Sequence, residues 1–94
     1  MKITLDAAAV EDLDRIHAWI SKDNPRAADA MMQRLERKIR RLASPLLIYM
    51  GRPGLEPGTR ELVEPPYVIV YEVLDDLSEI VVLAVFHGAQ DREG

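Results

Sequence analysis

Residues 60–86, RELVEPPYVIVYEVLDDLSEIVVLAVF, contain three apolar runs separated by two short turns. The runs are rich in β-branched and aromatic side chains, which favour extended structure. They predict three strands, over Arg60–Val63, Tyr67–Leu74 and Glu79–Phe86. Pro65-Pro66 and Asp75-Asp76-Leu77-Ser78 supply the turns, and turns this short join antiparallel neighbours.

The preceding half of the chain predicts one more strand and two helices. Lys2–Leu5 alternates polar and apolar residues, as a short strand does. Asp6 can cap a first helix, and Asn24-Pro25 starts a second with an N-cap followed by a proline in the first turn. Ser44-Pro45 ends that helix, and residues 51–58, in which five of eight are Gly or Pro, predict a loop.

Two helices with so short a connection form an antiparallel hairpin. The element order β-α-α-β-β-β therefore predicts an α+β fold, with the helical hairpin packed on one face of a small antiparallel sheet. We expect residues 1–94 to form a single domain.

Apolar residues recur at spacings of three and four in both helices, which predicts one buried stripe on each. The stripes consist of Val10, Leu13, Ile16 and Ile20 in the first helix, and Ala28, Met31, Met32, Leu35, Ile39 and Leu42 in the second. His17 borders the first stripe and is interpreted as a packing residue. Arg34, Arg37, Lys38 and Arg41 form a stripe of cations beside the second, which either meets an anionic partner or is a solvated face near the negative helix end.

Composition excludes several classes of protein. The 94 residues carry a net charge of −4, which argues against a general nucleic-acid coat. There is no cysteine, and the two histidines cannot form a multi-histidine metal cluster, so we expect no metal and no cofactor. The longest apolar run, residues 80–86, is too short to span a membrane, and no signal peptide is apparent, so we expect a cytoplasmic protein.

The sheet face that the helices leave uncovered is predicted to be apolar. Strict alternation places Tyr67, Ile69, Tyr71 and Val73 on one face of the second long strand, and Val81, Leu83, Val85 and His87 on one face of the last. Neither face of these strands is clearly polar. The exposed face is therefore either a binding surface or is covered by loops or by a second copy of the chain.

A few polar side chains in the second half could carry chemistry. Metal-free RNA cleavage needs a base, an acid and cations for the charged intermediate. The available groups are Arg52, Arg60, Glu61, Glu64, Tyr71 and His87. The alternatives are structural: a hydrogen-bonding histidine at a strand end and a cross-strand Arg60–Glu61 ion pair. Trp19 points away from the centre of its stripe, as a partner anchor or a partly exposed packing residue.

The order and spacing of these segments resemble the RelE/ParE toxin superfamily, its ParE branch in particular, over residues 2–90. The matching segments are Asp12-Leu13 with Ile16 and Trp19-Ile20, Asn24-Pro25 with Ala27-Ala28, Pro45, Gly51-Arg52, Gly54, Gly58-Thr59-Arg60-Glu61-Leu62, Tyr67–Val73 and His87-Gly88-Ala89. The ParE branch commonly continues His-Gly-Ala-Arg-x-Trp-Pro, whereas this chain continues with Gln90-Asp91-Arg92-Glu93.

The resemblance implies the toxin of a type II toxin–antitoxin pair, also called a plasmid stabilisation protein, neutralised by a ParD-like antitoxin through which it reaches DNA. It implies growth arrest by inhibition of DNA gyrase, with Trp19, Arg60, Glu61, Tyr71 and His87 as candidates for toxicity or partner binding and no catalytic residue. The alternatives are a RelE-type, ribosome-dependent mRNA endoribonuclease using Arg52, Arg60 and His87, and a non-toxic co-repressor that binds an antitoxin.

Overall fold

The computed structural model describes residues 1–88, which form two helices and five strands. The helices are α1 (Ala7–Ser21) and α2 (Pro25–Arg40), and the strands are β1 (Lys2–Leu5), β2 (Arg52–Pro53), β3 (Thr59–Glu64), β4 (Tyr67–Leu74) and β5 (Glu79–His87). Short 3-10 turns at Arg41–Ala43 and Asp75–Leu77 follow α2 and β4. The predicted departure of the chain from the ParE pattern after Ala89 lies outside the described residues.

The strands form one mixed sheet in the order β1-β5-β4-β3-β2. The antiparallel pairing of the last three strands is confirmed. β1 lies parallel to β5, because the helical hairpin carries the chain back across the sheet before it reaches the last strands. The prediction of a continuous loop over residues 51–58 is wrong at Arg52–Pro53, which pairs with β3 as an edge strand, where a proline that lacks an N–H is tolerated.

A bulge in β5 changes which of its residues face the helices. Tyr71 pairs with Val82 and Val70 pairs with Ala84, so the chain passes Leu83 without a partner on β4. Strict alternation along this strand was therefore a wrong prediction, because an extra residue reverses the faces. Val82 is buried before the bulge and Val85 after it, and the Val85 N–H donates to the Asp12 carboxylate of α1 at 3.0 Å.

Both helices pack on the same face of the sheet, as predicted, and the two predicted N-caps are confirmed. The Asp6 and Asn24 side chains accept hydrogen bonds from the first turns of α1 and α2. The core between the layers consists of Ala9, Ile16, Met31, Leu35, Ile39, Leu42, Ile48, Leu62, Tyr67, Ile69, Tyr71, Ile80, Val82 and Val85. Val10 was wrongly predicted as buried. It is 42% exposed, because the stripe of α1 is centred one residue earlier, on Ala9.

His17 links the two helices on the protein surface and does not pack in the core, contrary to prediction. Its Nε2 lies 2.9 Å from Asp29 Oδ1, and its side chain is 41% exposed. None of the helices in residues 1–88 has the apolar length that a membrane crossing requires.

Candidate functional site

Arg60 fastens the segment before β2 to the sheet. Its guanidinium donates to the backbone oxygen of Tyr49 at 3.0 Å and also to that of Gly51, and it stacks over the Tyr49 ring at 5.3 Å from the centroid. Its Nε is buried without a hydrogen-bond partner among residues 1–88. One terminal nitrogen of the guanidinium thus holds two backbone oxygens, so Arg60 acts as a structural clamp in the free chain.

Tyr71 holds the same segment from inside the core. The fully buried hydroxyl donates to the Ile48 oxygen at 2.9 Å and accepts the Gly51 N–H at 3.1 Å. A Cβ on Gly51 would lie 2.6 Å from the Glu61 backbone oxygen, which explains why only glycine fits there without a shift. The hydroxyl satisfies two backbone groups that the turn leaves unpaired.

Glu61 and Arg52 form an ion pair on the opposite face of β3. Glu61 is only 3% exposed, and its Oε1 lies 3.2 Å from the Arg52 guanidinium. The predicted cross-strand pair of Arg60 with Glu61 is wrong, because consecutive residues of a strand project to opposite faces. Glu61 is therefore neutralised across the β2–β3 pair.

His87 lies at the far end of the sheet, in a pocket of about 250 Å3. Its ring packs edge-on against Tyr67, with centroids 5.6 Å apart. Trp19 of α1 lines the same pocket and is 66% exposed, with the Lys22 ammonium 5.4 Å from its ring centroid. Two of the predicted candidates, Trp19 and His87, are thus brought together.

We expect Trp19→Ala to change the free energy of unfolding by no more than about 0.5 kcal/mol, because the indole is mostly exposed. Chemical denaturation of the purified chain checks this. A loss well above 1 kcal/mol would favour the packing interpretation of Trp19 over the anchor interpretation.

The three residues of the nuclease alternative are not brought together. Arg60 lies opposite Tyr71 and His87 lies opposite Tyr67, four residues apart along β4, or about 13 Å. Arg52 projects from the other face, toward Glu61. Nor do residues 1–88 hold a group of acidic or histidine side chains able to bind a metal ion. Arg52, Arg60 and His87 therefore do not form one site in the described part of the chain.

Hydrogen bonding and burial perturb two tyrosines. The Tyr49 hydroxyl donates to the Asp75 carboxylate at 3.1 Å, and this bond raises the pKa of Tyr49 above its ordinary value of 10.0. Burial raises the pKa of Tyr67.

We expect Asp75→Asn to lower the pKa of Tyr49 towards 10.0. The protonated phenol is the form that the carboxylate stabilises. The hydrogen bond from Tyr49 to Asp75 therefore stabilises the fold below the unfolded pKa of Tyr49. This stabilisation is lost as pH rises through the raised folded pKa of Tyr49. Titration of phenolate absorbance in wild type and variant checks this, and identical curves would contradict it.

An apolar groove runs between β1 and the helical hairpin, with a volume of about 410 Å3. Its apolar walls are Ile3, Leu5, Leu13, Met32, Leu35 and Ile39. Leu5 is 40% exposed within it. The position of this groove could not be predicted from the sequence, because β1 forms a wall only after it pairs with β5, and the short run 2–5 carries no signal of that partner.

The predicted apolar sheet face is partly open. Among its residues, Val63 is 41% exposed, Val81 and Phe86 are half-buried, and Val68 is buried. Both helices lie on the other face, against the core. The groove and this face are thus apolar surfaces that a second polypeptide could cover.

A helical hairpin on one face of a mixed five-stranded sheet, with apolar surface left for another chain, defines the RelE/ParE class of toxin folds. Residues 3–92 match the model of the family described as ParE toxin of type II toxin-antitoxin system, parDE. The chain belongs to the ParE toxin family, and it is a toxin of a type II toxin–antitoxin system.

Known relatives agree with this assignment. The chain is 38% identical over 84 residues to the Y4kP protein of Sinorhizobium fredii, whose name marks it as a toxin candidate; the match covers 87% of this chain and 82% of Y4kP. A solved structure of the chromosomal ParDE system from P. aeruginosa superposes with a TM-score of 0.79 at 26% identity, over 93% of this chain and 95% of that one. The isolated E. coli RelE toxin, at 14% identity and a TM-score of 0.68 over 97% of this chain and 87% of that one, shares the fold.

Proposed function

We propose that a ParD-like antitoxin neutralises this toxin by burying an apolar segment in the groove between β1 and the helical hairpin. The proposal is supported by the family to which the chain belongs, and by the similarity to a ParDE system at a TM-score of 0.79. The observation that carries it is a concave and largely apolar surface in which Leu5 is 40% exposed. An amphipathic helix that fills such a groove removes apolar area from water on both partners.

Leu5→Glu is the variant that tests this docking site. Placing a carboxylate in the groove should weaken binding of the antitoxin encoded beside the toxin gene by about tenfold or more, because the charge loses its hydration in an apolar contact. Leu46→Glu is the matched control, since Leu46 is 93% exposed and lies outside the groove. Equal affinities for the two variants would exclude this groove as the antitoxin site.

We further propose that the free toxin arrests growth by inhibiting DNA gyrase. This target is supported by the ParE resemblance and by the dispersal of Arg52, Arg60 and His87 over two faces and two ends of the sheet. Cleavage of RNA requires the general base and the cations to lie within hydrogen-bond reach of the same phosphate. Inhibition by binding to another protein needs no such convergence of side chains. With gyrase as its target, the toxin would act in the cytoplasm.

Purified toxin distinguishes the candidate functions. We expect excess toxin to inhibit supercoiling by gyrase in vitro, and the antitoxin to reverse this inhibition. We also expect mRNA on ribosomes to stay intact. Normal supercoiling, together with mRNA cleavage that His87→Ala abolishes, would instead establish the nuclease alternative. Unchanged growth on expression of the chain without its antitoxin would identify a non-toxic co-repressor.

A further inference from the structure

Cations of α2 and of the 3-10 turn that follows it form a concave surface in which one carboxylate is already bound. Arg34, Arg37, Lys38 and Arg41 line it together with Glu64 from the end of β3. Glu64 Oε2 accepts from the Arg34 guanidinium at 2.8 Å, and its Oε1 lies 3.6 Å from the Lys38 ammonium. The Glu64 side chain is only 15% exposed, so this carboxylate is enclosed between two cations one helical turn apart.

A second pair of cations on the same surface has no such counter-charge. Arg37 and Arg41 are also one helical turn apart, about 6 Å along the axis. Arg37 donates to the Gln33 backbone oxygen of its own helix at 3.4 Å. No carboxylate of residues 1–88 lies within ion-pair distance of either guanidinium. Arg37 and Arg41 thus have the same spacing along the chain as Arg34 and Lys38, the two cations that hold Glu64.

We propose that Arg37 and Arg41 bind a carboxylate from an acidic segment of the antitoxin. This inference rests on the proposed function and adds a charged anchor to the apolar groove, from which the two arginines are separate. Guanidinium groups bind carboxylates with two parallel hydrogen bonds, and a pair of them one turn apart can hold one carboxylate between them. The Glu64 carboxylate, held between Arg34 and Lys38, is an example of such a contact within the chain.

The charge of the toxin favours an acidic polypeptide over a nucleic acid as the occupant. The chain has a net charge of −4, and a duplex carries one negative charge per about 1.7 Å of its axis, so long-range repulsion opposes its approach. A short acidic segment brings few charges and places them only at the arginines.

Charge reversal tests this contact. We expect Arg37→Glu and Arg41→Glu each to weaken binding of the purified antitoxin by about tenfold at low salt, and the loss to shrink at high salt. Arg26→Glu is the matched control, because Arg26 is an exposed arginine of the same helix outside this surface, and it should stay near wild type.

The outcomes separate the inference from the proposed function. Wild-type binding with all three variants equal would overturn the inference and leave the antitoxin proposal standing. Absence of binding by the wild type would overturn both. If the two arginine variants kept the affinity of the control for antitoxin, but weakened binding of the toxin–antitoxin complex to a double-stranded DNA probe, the occupant would be phosphate and the inference would be wrong.

Discussion

Tyr71→Phe is expected to lower the free energy of unfolding by about 3 kcal/mol, although it removes a single oxygen. The hydroxyl is fully buried and bonds both the Ile48 oxygen and the Gly51 N–H. Phenylalanine keeps the ring in the core but leaves a buried acceptor and a buried donor without this partner, and each such group costs about 1–3 kcal/mol. Urea denaturation of the free toxin measures the loss.

Tyr67→Phe is the matched control for this prediction. Tyr67 is also buried, at 6% exposure, on the same face of β4. Its hydroxyl makes no hydrogen bond with the described residues, so the same chemical change should cost no more than about 0.5 kcal/mol. Similar losses for the two variants would show that the Tyr71 hydroxyl does not hold the segment before β2.

Arg60→Ala should lower the free energy of unfolding by about 2 kcal/mol, because two charge-assisted hydrogen bonds to backbone oxygens are lost together with the stacking on Tyr49. Urea denaturation again provides the measurement. Arg37→Ala is the control, since within residues 1–88 that exposed arginine bonds only the Gln33 backbone oxygen of its own helix, and it should change stability by less than about 0.5 kcal/mol.

Arg60→Lys separates the clamp from a role in which Arg60 contacts the target. Lysine keeps the charge but has no planar fork, so it can replace only part of the contact to the Tyr49 and Gly51 oxygens. We expect a stability between wild type and Arg60→Ala, with growth arrest following stability. Loss of growth arrest in a fully stable Arg60→Lys variant would contradict the clamp and favour direct contact with the target.

The sequence predicted which residues could belong to the candidate site, but not how their side chains are arranged. Arg60, Glu61 and Tyr71 were singled out as polar side chains that could carry chemistry, and by the resemblance to the ParE branch. In the structure the three residues have different roles. Arg60 holds backbone oxygens, Glu61 forms an ion pair with Arg52, and the buried Tyr71 hydroxyl joins two backbone groups. Each depends on residues 48–52, a segment with no helical or strand periodicity of its own, so no local pattern could reveal these partners.

Sequence by itself determined the elements whose causes are local. Lys2–Leu5 and Tyr67–Leu74 have their predicted bounds, and α2 begins at Pro25 after its Asn24 cap. Alternation, helical spacing and capping act over a few residues, and they can therefore be read along the chain. The order of these elements was also enough to indicate the family.

Tertiary structure alone decided the parallel pairing of β1 with β5, the two-residue β2 and the bulge at Leu83. It also decided the groove beside Leu5 and the carboxylate bound between Arg34 and Lys38. These features join residues that are far apart in the chain, and their free energy comes from pairing and burial that exist only once both partners are in place.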